Sequence, residues 1–110
     1  MVDMSDPHAA VDYILANAGK FAKAKSTRVY LEEFRKSKKA ILMAQSTDKA
    51  ANAREQYAYS HDEYLALLVG FREAVEIEEK LKWDLIAAQA RIEVWRTEQA
   101  NNRNQDRTMR

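Results

Sequence analysis

Tyr64, Leu67, Phe71, Ala74, Glu78, Leu81, Leu85, Ala88, Ile92 and Trp95 follow one another at alternating steps of three and four residues. Such a seven-residue repeat keeps one face of a helix turned toward a neighbour and favours left-handed, coiled-coil-like packing. Only Glu78 breaks the apolar character of the ten positions. A strand cannot use this spacing, because its side chains alternate with a period of two. The run therefore predicts a long helix over 62–102, whose 41 residues would extend roughly 60 Å at 1.5 Å per residue.

The rest of the chain supplies what could pack on that helix. Two glycines and one proline in 110 residues leave little turn material, so few and long helices are expected, in an all-α chain of one domain. Ser5 or Asp6 can cap a first helix with Pro7 in its first turn, and Gly19 is a candidate stop, which gives a short helix over 1–20. A second, basic helix follows over 21–45, with Tyr30, Leu31, Phe34, Ile41 and Leu42 on one broad face. Ser46-Thr47-Asp48 then caps an Ala-rich helix over 47–60. Ser60 and Glu63 have the spacing of a capping box at the start of the long helix, and 103–110 forms a polar tail. A 21–45 helix, at roughly 36 Å, is too short to cover the long seam. The helical bundle is thus expected to be completed by oligomerisation, with Tyr64, Leu67, Phe71, Leu81, Leu85, Ile92 and Trp95 as the oligomer interface.

Catalytic chemistry finds little footing. His8 and His61 stand alone in cap or loop positions, with no second ligand at metal spacing. Glu73, Glu76, Glu78, Glu79 and Asp84 read as a solvated face that pairs with Arg72, Lys80 and Lys82. Gly19 and Gly70 are too far apart for a phosphate-cradling loop. A non-enzymatic chain without metal or cofactor is expected. With no cysteine, disulfides and thiolate chemistry are excluded, and no apolar run is long enough to cross a membrane. The N-terminal stretch lacks the basic segment of a secretion signal, so a cytoplasmic protein is expected.

Charge distribution says more than the net charge of +1. Between Lys20 and Lys39, eight cations meet two anions; between Asp62 and Lys80, six anions meet two cations. Lys25, Arg28, Arg35 and Lys39 recur at spacings of three, seven and four, with Lys36 beside them. Arg96, Arg103, Arg107 and Arg110 form a second stripe near the C-terminus, among Asn101, Asn102, Asn104 and Gln105. Two readings stand. The basic face docks on the acidic half of the long helix, in its own chain or a neighbour. Alternatively, the two stripes follow a phosphate backbone, as sequence-independent nucleic-acid binders require. The residues available for that contact are Lys25, Arg28, Arg35, Lys36, Lys38, Lys39, Arg96, Arg103 and Arg107, with Trp83, Tyr57 and Tyr59 as candidate stacking aromatics and Trp95 as core.

A Lys-rich helix containing RKSKKAIL, an Ala- and Tyr-bearing connector, and a long helix with a Trp and a polar end resemble the small helical recombination mediators of tailed phages, the UvsY type. Small phage proteins carrying patterns such as RVYLEEFRKSKKA, YSHDEYLALL and IEVWRTEQANNR are similar too. The resemblance covers residues 20 to 105. It implies a ring-forming protein that binds single-stranded DNA and helps load a recombinase or displace the single-strand-binding protein. Only Arg35, Lys36, Lys38 and Lys39 match a feature that the resemblance expects to touch DNA. The competing expectation is a protein-interaction module, an adaptor, inhibitor or virion component, whose apolar seam carries the interface.

Overall fold

The computed structural model describes Asp6 to Met109, so Ser5 as a cap and Arg110 as part of the C-terminal stripe lie outside the described residues. The chain is all-α, with α1 over Pro7–Gln45, α2 over Ala51–Ser60 and α3 over Asp62–Thr108. It divides into two compact units. Unit 1 takes 1–22 and 80–110, and unit 2 takes 23–79.

α1 starts where its sequence directs. The Asp6 carboxylate accepts a hydrogen bond from the His8 amide at 2.9 Å, and Pro7 occupies the first helical position, where its missing N–H costs nothing. The stop expected at Gly19 does not occur. α1 continues through it, and no described glycine has positive φ. The flanking LANA and KFAKAK segments are rich in helix formers, and half-buried Ile14 and Phe21 stand on either side of Gly19 in unit 1. Together they outweigh the roughly 1 kcal/mol that one interior glycine costs. A Cβ added at Gly19 would meet nothing within 4 Å. Gly19→Ala should therefore stabilise the protein by about 0.5 to 1 kcal/mol in chemical denaturation.

The connectors correct two more expectations. Ser46 and Asp48 close a turn on each other, the Ser46 hydroxyl donating to Asp48 Oδ2 at 3.0 Å and accepting from the Asp48 amide at 3.2 Å. α2 consequently begins later, at Ala51, after Ala50, which provides no side-chain cap. Ser60 does not cap α3 either. Its hydroxyl donates back to the Gln56 carbonyl at 2.7 Å inside α2. His61 takes that role: its Nδ1 accepts from the Glu63 amide at 3.1 Å, and its carbonyl accepts from the Tyr64 and Leu65 amides, both at 3.0 Å. A ring nitrogen two residues ahead of the orphan donor does the work usually given to a Ser or Asp oxygen.

In unit 2, α1 and α3 run antiparallel. Arg28 meets Glu78 and Arg35 meets Phe71, so a step of seven forward on α1 matches a step of seven back on α3. The core gathers fully buried Leu42 and Ala58 of α2 with the nearly buried Tyr64, and Met43 and Leu68 pack against them. The remaining buried apolar positions of unit 2 are Ala24 and Ala74, and those of unit 1 are Ala10 and Ala88. Small side chains at buried positions let helix axes approach closely.

The seam of α3 is therefore largely used within the chain. Tyr64, Ala74, Glu78 and Ala88 are buried, and Leu67, Phe71, Leu81, Leu85 and Ile92 are half-buried. The physical reason is the unbroken α1, which supplies residues to both units. Of the seven side chains expected at an oligomer interface, Tyr64 is spent on the core, at 6% exposure. Trp95, expected in the core, is 37% exposed. The expected polar tail is helical as far as Thr108.

Candidate functional site

The basic stripe of α1 does not stay whole when its partners are counted. Arg28 is the most firmly held. Its Nε and Nη2 donate to the two Glu78 carboxylate oxygens at 2.6 and 3.1 Å, and its Nη1 donates to Glu32 at 2.9 Å. Hydrogen bonds donated to Glu78 first, then to Glu32, push the guanidinium pKa further above its already high value. This explains the one charged residue in the heptad run. Glu78, only 8% exposed, is the acceptor for a cation brought in by α1.

Lys38 is likewise turned on the chain itself, 3.2 Å from Glu63. Lys36 pairs with Glu33 one turn away at 3.2 Å, an exposed contact of little energetic weight. Lys25 is exposed. Arg96 pairs with Glu93 at 2.8 Å, and Arg103 and Arg107 are exposed on the last turns of α3. The two stripes thus do not present nine equivalent cations.

What the structure does bring together is a smaller site in unit 2. Arg35, Lys36 and Lys39 of α1, Tyr59 of α2 and Tyr64 of α3 line a cleft of about 420 Å³. Tyr59 and Tyr64 meet edge to face, 5.3 Å between ring centroids. Lys39 Nζ stands 4.7 Å over the Tyr59 ring and 3.4 Å from Glu55. Hydrogen bonding to Tyr59, then Glu55, raises the Lys39 pKa against the opposing effect of burial. Arg35 is half-buried with its guanidinium 5.5 Å from the Phe71 ring centre, and among the described residues nothing accepts a hydrogen bond from it. A guanidinium has five donors and no acceptor. Set over an aromatic ring and short of acceptors, it suits an anion such as a phosphate or carboxylate.

Tyr59 had a signal in sequence, as an aromatic near a basic helix, but Tyr64 was legible only as seam. Tyr57 packs against His61, with ring centroids 5.5 Å apart. Trp83 is 61% exposed, as its place off the seam suggests, but it belongs to unit 1. His8 is exposed on the first turn of α1.

Unit 1 carries its own polar cluster. Lys80 Nζ donates to Asp84 Oδ2 at 2.9 Å, and the Tyr13 hydroxyl lies near enough to feel the Asp84 charge. Lys80 is thereby shifted upward and Asp84 downward, each chiefly by this mutual bond, while burial followed by the Asp84 charge raises Tyr13. Raised folded pKa values at Lys80 and Tyr13 mean a contribution fully present below the ordinary values, near 10, and lost as pH climbs through the folded ones. The lowered Asp84 contributes above the ordinary carboxylate value and loses that contribution as pH falls through its folded one. Melting temperature should therefore be flat across the neutral range and decline above about pH 10. In Tyr13→Phe the alkaline decline should be shallower.

Among the described residues, no helix is long and apolar enough to cross a membrane, and no group of three or more His, Asp or Glu stands where it could hold a metal ion. No family model, no curated protein and no solved structure matches this chain.

Proposed function

We propose that this is a non-enzymatic helical protein that binds single-stranded nucleic acid without base specificity. The observation that carries the reading is Arg35: a half-buried guanidinium short of acceptors, flanked by Lys36 and Lys39 and by the Tyr59 ring in one cleft. Cations beside an aromatic platform are the means by which single strands are held, phosphate on the cation and base on the ring, with stacking worth roughly 1 to 3 kcal/mol per base. Lys25 extends the charged track on α1, and Arg103 and Arg107 are exposed for a second one. Arg28 and Lys38 are removed from the contact set by their pairing with Glu78 and Glu63. The resemblance to phage recombination mediators makes recombination or replication the expected setting, with a recombinase or single-strand-binding protein as the expected protein partner and a homo-oligomer as the working form.

Titration of a fluorescent single strand tests this. Affinity should fall with salt at a log-log slope of about −0.7 per phosphate contacted. The Arg35→Glu/Lys36→Glu/Lys39→Glu variant should lose on the order of 100-fold in affinity with helix content retained. An oligonucleotide that does not bind at low salt overturns the proposal.

A second reading, a protein-interaction module, is favoured by large apolar side chains left outside, including Leu15, Tyr30, Ile77 and Trp83. Under it, no oligonucleotide binds at low salt, and the triple reversal breaks the assembly.

A further inference from the structure

α3 carries a second apolar stripe that its seam does not use. Trp83, Ala87, Ala90 and Val94 succeed one another at steps of four, three and four, and all four are exposed. Trp83 and Val94 keep 61% and 47% of their surface, and Ile86, on the stripe's flank, keeps 38%. This stripe lies on the side of unit 1 away from Leu81, Leu85, Ala88 and Ile92, which are buried or half-buried. A helix apolar on two opposite faces offers the second of them to a partner.

We propose that the outer stripe of α3 pairs, antiparallel, with the same stripe of a second copy about a two-fold axis level with Ala88 and Gln89. The stripe is palindromic about that point. Trp83 would meet the partner's Val94, and Ala87 would meet the partner's Ala90, a small-on-small layer at the centre that lets the two helices close. Charge selects both the occupant and the direction. Antiparallel self-pairing sets Asp84 opposite the partner's Arg91, and by symmetry does so twice. A parallel pair would instead set Glu93 opposite the partner's Glu98, like charge against like. A self-complementary sequence of this kind is what an isologous interface requires. The paired stretch is three turns, roughly 18 Å of helix. That is less than a standard-size interface, and the dimer should dissociate on the order of 10 µM.

Sedimentation equilibrium over about 1 to 300 µM reads the proposal. The average mass should rise with concentration from 12.7 kDa toward twice that value. Trp83→Glu should weaken association by at least about tenfold. Asp84→Arg and Arg91→Asp should each do the same, because each brings like charges together, and the double reversal should restore association to within about threefold of the original. Circular dichroism establishes that each variant keeps its helix content; Ala90→Glu, at an exposed position, replaces any variant that does not. A constant mass of 12.7 kDa over the whole range overturns the proposal. So does a Trp83→Glu protein that associates as the original does, or a double reversal no better than its single components. Binding of a single strand is read separately, so neither result depends on the other.

Discussion

Glu78→Leu should lower the melting temperature by about 10 °C, and adding Arg28→Met to it should recover most of the loss. The asymmetry follows from what each substitution leaves behind. Removing Glu78 strips Arg28 of the bidentate partner at 2.6 and 3.1 Å and leaves Glu32 alone to accept from it. A charge held against a helix seam without its counter-ion is expensive, whereas a matched apolar pair of similar volume restores packing without any charge to solvate. Thermal melts of the single and double variants at one ionic strength measure this directly. Equal losses in the two would mean that the pair contributes through solvated surface charge, and the account of Glu78 as a buried acceptor would be wrong.

Leu42→Ala should cost about 3 kcal/mol in unit 2, on the order of 15 °C in melting temperature. Leu42 is the one large side chain among the described residues that is fully buried, and it joins α1 to Ala58 of α2 and Tyr64 of α3. The side chains around it are a methyl, a tyrosine ring, Met43 and Leu68, and only the methionine is flexible enough to collapse into the void. Denaturant unfolding gives the number. The variant should also lose oligonucleotide affinity, because Tyr59 and Tyr64 of the cleft rest on this cluster.

The period of the α3 run identified the inward face from Tyr64 to Ile92, down to Glu78 as its exception, though not at exposed Trp95, because a seven-residue repeat is a statement about one helix and needs no knowledge of its partner. The partner's length was not legible. Gly19 reads as a stop under local rules, and its continuation depends on Ile14 and Phe21, apolar anchors that matter only after the fold exists. The same limit governed the basic stripe. That Arg28 and Lys38 belong to the chain's own acids, while Arg35 does not, depends on an alignment between α1 and α3 that spacing along one helix cannot express. His61 was missed as a cap because imidazole is seldom used there, and Ser60 offered the commoner chemistry one residue earlier.

The alanines buried on α1 and α3 have a consequence for how the chain finds its alignment. Ala24 and Ala74 in unit 2 offer smooth walls, with none of the interlocking bulk by which leucine and isoleucine distinguish one layer from the next. Two such helices displaced by seven residues would meet almost as well apolar to apolar. The displacement would, however, carry Arg28 off Glu78 and strand both charges against the seam. The ion pair thus acts as an address: it contributes less to how tightly α1 and α3 hold than to where along each other they stop.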